Sequence, residues 1–244
     1  WTIAYPVLDE FGGTSEYMLV STTRPETMLG DTALAVNPED ERYENLIGKK
    51  VRIPLINREI KIIADEYADP QFGTGVVKIT PFHDPNDFEV GNRHNLPKIQ
   101  VIGFDGKMTE NAGKYAGLEV LEARKKILED LRKINALFKE EDITHVVGYD
   151  YKSGEPIQPL VKEQWFISTK PLAKKALEAL ENNEIKFTPE NKKNVLAEYL
   201  KNIRDWNISR QIPWGIPIPA FQNIEDPTDW IFDERVHESQ IEVN

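Results

Sequence analysis

Gly73-Thr-Gly-Val-Val-Lys-Ile-Thr-Pro-Phe-His-Asp-Pro-Asn-Asp-Phe-Glu-Val-Gly91 changes its period in the middle, and that change decides how the first half of the chain is built. Up to Thr80 the residues alternate as in a strand, with Val76, Lys78 and Thr80 on one face and Val77 and Ile79 on the other. Asp84 followed by Pro85 is an N-cap residue with proline at the first helical position, so a helix starts there and Asp87 falls in its first turn. Lys78 and Thr80 therefore point the same way, beside a helix N-terminus that carries two carboxylates. The helix dipole and the free amides of the first turn are expected to keep Asp84 and Asp87 ionised. That makes them poor proton acceptors near neutral pH, better suited to holding an ammonium or a hydroxyl. The competing local reading is a capping arrangement alone, worth on the order of 1 kcal/mol.

Around this segment the chain reads as short β-rich runs: Tyr17 to Ser21, Thr32 to Val36, Lys50 to Ile56, Glu59 to Ala64, Gly75 to Thr80 and Gln100 to Phe104. Their closeness predicts antiparallel pairing, with tight turns at Asn57-Arg58 and Asp105-Gly106. One helix is predicted from Glu119 to Asn135, with Val120, Leu121, Ile127, Leu128, Leu131 and Ile134 near a 3.6-residue period. The expected class is α+β, a closed or strongly curled, barrel-like sheet with peripheral helices. Beyond Tyr149 the pattern loosens: a strand-like stretch from Ile157 to Ser168, then helices over about 171–182 and 190–202. From Pro213 onward periodicity is lost, and the acidic stretch after Ile224 reads as loop or frayed terminus.

Composition limits the function classes. At 244 residues and 40% hydrophobic content the chain can bury a substantial core. No run approaches the roughly 18 apolar residues of a membrane span, and no apolar leader opens the sequence, so a cytoplasmic protein without membrane contact is expected. Starting at Trp1 and stopping at Asn244, the sequence is expected to be a piece of something longer. Cysteine is absent, which removes thiolate chemistry. A formal charge of −11 argues against nucleic-acid contact over the whole surface. Any such contact is local, at Arg124, Lys125, Lys126, Arg132 and Lys133, at Lys170, Lys174 and Lys175, or at Lys192, Lys193, Lys201, Arg204 and Arg210. Acids interleave each cluster at helical spacing, which favours a solvated helix face. Trp165, Trp206 and Trp214 are candidates for stacking on bases, with buried packing the favoured role.

A second polar cluster is Ser21-Thr-Thr-Arg-Pro-Glu-Thr-Met-Leu-Gly-Asp31. Pro25 pushes Arg24 to an extended conformation and can begin a short helical turn. Thr23, Arg24 and Thr27 are thereby gathered at a strand-to-helix junction with backbone N–H groups suited to an oxyanion or phosphate. An ordinary turn whose arginine pairs with a nearby acid accounts for the same residues.

Four blocks in order, TTRPETMLGDTALAVNPEDERY, GTGVVKITPFHDPNDFEVGNRHNLP, VKEQWF and DWNISRQIPWGIPIPA, resemble the valyl-tRNA synthetase family over roughly residues 15–221. The first two resemble the inserted editing domain, the last two the return toward the synthetic domain. The resemblance implies an editing core over 1–150, the remainder of the insertion over 151–222 and an acidic terminal segment over 223–244. No HIGH-like or KMSKS-like motif is found, so amino-acid activation is not expected of this stretch. What is implied is post-transfer editing: these synthetases are themselves the standing example of a hydrophobic pocket that separates valine from isosteric threonine by only about a hundredfold.

By the same resemblance, Asp87 holds the aminoacyl ammonium and Asp84 accepts the threonine hydroxyl. Lys78 and Thr80 orient the ester and the attacking water, and Arg24 and Thr27, with Thr23, line the pocket near the terminal adenosine. Water cleaves the ester with neither cofactor nor metal, positioned by fixed polar groups and a ribose hydroxyl. The partners implied are valine tRNA carrying threonine and the synthetic domain, with a monomer as the default. Phe82 stands where alanine is common, and its bulk either narrows the pocket or packs on the sheet; Asn207, Pro213 and Ile216 also depart from the pattern. Two other readings compete: a metal-dependent hydrolase using His83, Asp84, Asp87 and His94, which lacks a recognised ligand spacing, and a non-catalytic tRNA-binding module. His145 and His237 carry no functional signal.

Overall fold

The computed structural model describes residues 1–212 and 214–232, so Pro213, His237 and most of the acidic terminal stretch lie outside the described residues. The chain forms two compact units, Trp1–Val161 and a second that begins at Lys162.

The first unit is built on one curled sheet. Its strands are β1 (Thr2–Leu8), β2 (Thr14–Ser21), β3 (Ala33–Val36), β4 (Lys50–Arg52), β5 (Glu59–Ala64), β6 (Val76–Ile79) and β7 (Leu137–Lys139). The order is β2-β1-β4-β5-β3-β6, with β7 also paired to β1. The end strands β2 and β6 approach each other, which gives the barrel-like curl. Pairing is antiparallel except between β3 and β5, which run parallel, contrary to the uniform antiparallel expectation. β1 breaks the alternation rule because nearly all its residues are buried, on both faces. Such a strand shows no two-residue period, and Pro6 further hides it.

Two turns contrast. Between β4 and β5 the turn lies at Pro54-Leu55-Ile56, where Leu55 takes φ of 70°, and not at Asn57-Arg58. Arg58 is drawn away to donate to the Leu29 and Asp31 carbonyls. The Asp105-Gly106 turn forms as expected, with Gly106 at φ of 77°, but its flanks make the isolated bridges Ile102–Met108 and Lys107–Glu119 and no full strand over 100–104.

Strand β3 shows how the layers are joined. Leu34 and Val36 face the main core, where Ile3, Tyr5, Val20, Ile53 and Ile62 also lie; Ala33 and Ala35 face the other side with Ile79 and Val90. Small alanines let helix α1 (Pro85–Arg93) come close, and Gly91 of that helix sits where a Cβ would meet Pro81 at 2.8 Å. Helix α2 (Val120–Lys133) closes the main core with Val120, Ala123, Ile127 and Leu131, while Leu121 and Ile134 are more than half exposed. At roughly 25 cal/mol per Å² of apolar surface, each fully buried side chain of this size stabilises the fold by about 1.5–3 kcal/mol.

The second unit carries helices α3 (Lys170–Glu181) and α4 (Lys192–Lys201) and two short antiparallel pairs, β8 (Phe166–Ile167) with β9 (Trp206–Asn207), which bracket the two helices, and β10 (Ala220–Gln222) with β11 (Trp230–Phe232). The strand expected over 157–168 is thus reduced to two residues, and β11 falls within the stretch read as loop. Trp165 packs edge-on against Trp230 and Phe232, with centroids 4.8 and 5.6 Å apart. Trp206 and Trp214 are exposed, so the buried packing expected of them is not found.

Candidate active site

The expected strand-to-helix junction forms. Asp84 is the N-cap of α1, with Oδ1 accepting from the Asn86 and Asp87 amides at 2.8 and 3.2 Å, and Pro85 occupies the first helical position. The capping reading of Asp84 therefore holds for one oxygen and leaves Oδ2 available. Asp87 is turned inward, 5% exposed, and its Oδ2 accepts the Thr80 amide at 2.8 Å. Its Oδ1 has no hydrogen-bond partner among the described residues.

Burial overturns the expectation that Asp87 has a low pKa. Desolvation pushes its carboxyl up to about 6, Lys78 and the Thr80 amide pull it down, and Asp84 and Asp31 add to the rise. The helix dipole acts within one turn, whereas the removal of water depends on everything that packs around that turn, and here the second effect is larger.

On the strand face opposite Ile79, Lys78 and Thr80 do point the same way. The Lys78 ammonium donates to Thr80 Oγ1 at 2.5 Å, to Thr27 Oγ1 at 2.9 Å and to Asp31 Oδ1 at 3.3 Å. Thr80 Oγ1 in turn donates to Asp31 Oδ1 at 2.6 Å, and Tyr5 donates its hydroxyl to Asp31 Oδ2 at 2.7 Å. Asp31 and Tyr5 are both wholly buried. Burial raises the pKa of each, while Lys78, Thr80 and Tyr5 oppose the rise at Asp31. Asp31 ends the Ser21–Asp31 block, but nothing local in the sequence marks it as lying beneath Thr80.

Residues Pro25–Gly30 form a buried 3₁₀ turn. Arg24, which precedes it, donates to the His83 carbonyl at 2.9 Å and to Gln158 Oε1 at 2.5 Å. Thr27 Oγ1 donates to the Arg24 carbonyl at 3.0 Å. Glu26, wholly buried, forms a bidentate pair with Arg124 at 2.8 Å on both arms and lies 3.7 Å from Arg24. Arg124 is thereby removed from the basic cluster in which its sequence position places it. Lys126, Arg132 and Lys133 pair with Glu122, Glu140 and Asp130, as a solvated helix face requires.

All seven candidate residues, Thr23, Arg24, Thr27, Lys78, Thr80, Asp84 and Asp87, line one cavity of about 630 Å³. Trp1, Tyr67 and Phe72 line it too, though no motif or spacing in the sequence marks them. Phe82 does not line it; its ring stands 5.4 Å from that of His83. His83 Nε2 accepts the Val101 amide at 2.9 Å, and burial, with Arg24 and Lys78 nearby, pushes this imidazole down to about 3. It is a neutral ring with its proton on Nδ1. His94 is elsewhere, paired with Asp65 at 2.7 Å alongside Arg93. Among the described residues no group of three or more His, Cys, Asp or Glu is arranged to hold a metal ion.

The family described as "tRNA synthetases class I (I, L, M and V)" matches residues 27–243. The chain belongs to the class I tRNA synthetases. Within that family it is 55% identical over 217 residues to a valine–tRNA ligase of Pseudothermotoga lettingae, covering 89% of this chain and 25% of that protein. The valine–tRNA ligase of Carboxydothermus hydrogenoformans is 57% identical over 219 residues, covering 90% and 24%. That of Thermotoga maritima is 53% identical over 219 residues, covering 90% and 25%. The chain thus spans about a quarter of the length of these curated synthetases. Likeness to solved structures is looser: "The crystal structure of GlLeuRS-CP1" aligns with a TM-score of 0.46 at 16% identity, over 59% of this chain and 99% of that one.

Proposed function

We propose that this chain carries the editing site of a valine–tRNA ligase and hydrolyses the ester of threonine wrongly attached to valine tRNA. The observation that carries the reading is the convergence, in one cavity of about 630 Å³, of the Asp84 and Asp87 carboxylates with a hydrogen-bonded Lys78–Thr80–Thr27 floor. That volume is in the range of small-molecule sites.

Asp87 Oδ1 is placed to hold the substrate ammonium. An ammonium beside it would restore the ionised form that burial disfavours, so the site favours a cationic ligand. Asp84 Oδ2 is the acceptor for the threonine hydroxyl; a valyl ester puts a methyl group there and leaves that oxygen unpaired, which is how an isostere is rejected. Water attacks the ester carbonyl, the ribose oxygen leaves with a proton, and no covalent intermediate forms. With a pKa of about 6, Asp87 has gained basicity that its helix position did not promise, yet the ammonium competes for the same oxygen. Positioning of water by Thr80 and Lys78, with a ribose hydroxyl, is the assignment that uses each group once. The partners in this reading are the charged acceptor end of valine tRNA and the remaining domains of the synthetase, with the protein acting as a monomer in the cytoplasm.

The test is deacylation of threonyl-tRNA for valine beside the valyl-charged tRNA, with wild type and Asp87→Ala, with and without a chelator. Selective loss of threonine that resists chelation and disappears in the variant is expected. A folded wild-type protein that binds the tRNA and leaves the ester intact would mean a binding module instead.

A further inference from the structure

We infer that Asp31 is a positioning residue that sets the hydrogen-bond polarity of Thr80, so that this hydroxyl, like that of Thr27, meets the substrate as an acceptor only. The inference rests on the editing reading and concerns how the same site selects its ligand.

An ammonium has three donors and no acceptor, and a hydroxyl has one donor and two lone pairs. Lys78 meets Thr27, Thr80 and Asp31 inside the protein, and because the Thr80 and Asp31 oxygens lie 2.6 Å apart in nearly the same direction from Nζ, one N–H serves both and another is left over. An ionised carboxylate can only accept, so the Thr80 proton is directed to Asp31 Oδ1 and its oxygen is left to receive from Lys78. The Thr27 proton goes to the Arg24 carbonyl. Once these protons are assigned, the two threonine hydroxyls present lone pairs and no free donor. Asp87 Oδ1 and Asp84 Oδ2 add acceptors to the same wall. A threonyl ester with its attacking water brings three groups that can donate to these acceptors, an ammonium, a hydroxyl and a water.

Asp31 does not line the cavity and is 0% exposed, so it acts on the substrate only through Thr80 and Lys78. Tyr5 holds its other oxygen and prevents the carboxylate from turning. Asp31→Asn keeps the shape but introduces an NH₂ group that can donate to Thr80 or Tyr5, which breaks the one-way order. Tyr5→Phe keeps the charge and releases only the restraint.

The experiment measures binding of two non-hydrolysable amide analogues of threonyl-adenosine, one with the α-amino group and one without it, to wild type, Asp31→Asn and Tyr5→Phe, beside threonyl-tRNA deacylation. Wild type is expected to prefer the amino analogue by at least tenfold. Asp31→Asn should reduce that preference to within about threefold, and Tyr5→Phe should reduce it less but in the same sense. If Asp31→Asn does not fold, Tyr5→Phe decides alone. Equal weakening of both analogues means that Asp31 only supports the fold, and an unchanged preference in the variants overturns the inference while editing stands. A wild-type protein that neither binds the amino analogue nor deacylates threonyl-tRNA removes the editing reading, and the inference with it.

Discussion

The Thr80 amide donates to Asp87 Oδ2 at 2.8 Å, which ties the first turn of α1 to the end of β6 and turns a helix-cap carboxylate into the wall of a cavity. The bond fixes the carboxylate but does not fully compensate its burial, because the second oxygen has no partner among the described residues. Asp87 is thus held in a place that costs the fold stability and suits a cationic ligand, the pattern of a site selected for binding over rigidity.

Asp87→Asn should therefore stabilise the ligand-free protein. Burial raises this carboxyl from its ordinary 3.8 to about 6. Between those values the folded state holds a proton that the unfolded chain has released, so wild-type stability falls as pH rises through that window. Two pH units correspond to at most about 3 kcal/mol, and asparagine can still accept the Thr80 amide. The expected result is a melting temperature several degrees above wild type at pH 8, a gap that narrows toward zero below about pH 4. Thermal melts from pH 3.5 to 8 check it, and a variant less stable than wild type at pH 8 would contradict the account.

In the proposed editing reaction the same group gives deacylation a pH dependence. The free protein needs Asp87 ionised to receive an ammonium, so kcat/KM for threonyl-tRNA should rise with pH through about 6 and then level off. Single-turnover rates from pH 5 to 8 should show this limb in wild type and lose it in Asp87→Asn along with most of the activity. A flat profile in an active wild type would show that Asp87 does not gate binding.

Both effects depend on a property that local sequence does not encode. Period and capping are local, so the strand ending at Thr80, the start of α1 at Asp84 and the shared face of Lys78 and Thr80 are legible in the residues alone. The charge state of Asp87 is not, since desolvation is set by residues far away in the chain. β1 is illegible for a related reason: burial on both faces erases alternation, and it is β1 that delivers Tyr5 to Asp31. Arg58 reads as a turn residue because Asn-Arg sits between two alternating runs, but its side chain is recruited by carbonyls about thirty residues earlier. Arg124 reads as one member of a basic helix face, and only the fold supplies Glu26 beneath it.

That last pair can be measured. Arg124→Met leaves the wholly buried Glu26 with Arg24 at 3.7 Å as its remaining cation, and breaking such a pair from one side costs roughly 3–5 kcal/mol. Lys126→Ala, which breaks the exposed pair with Glu122 on the same helix, should cost under about 1 kcal/mol. Urea denaturation of both variants should separate them clearly. Similar small losses would mean that Arg124 belongs to the solvated face after all.

Gly30→Ala probes how tightly the cavity floor is built. A Cβ there would lie 3.0 Å from the Ile99 carbonyl oxygen, 3.1 Å from Thr80 Cγ2 and 3.2 Å from Val101 Cγ2. The backbone carbonyl yields least, so the strain falls on the two side chains, and Thr80 is the one whose hydroxyl links Lys78 to Asp31. Overpacking of this kind costs about 1–3 kcal/mol, which a domain with this core can absorb. The loss of threonyl-tRNA deacylation should be larger, tenfold or more, because a displaced Thr80 disturbs both its own hydroxyl and the amide that holds Asp87. Wild-type deacylation by a Gly30→Ala protein whose stability has dropped would show that the placement of Thr80 is not what the reaction depends on.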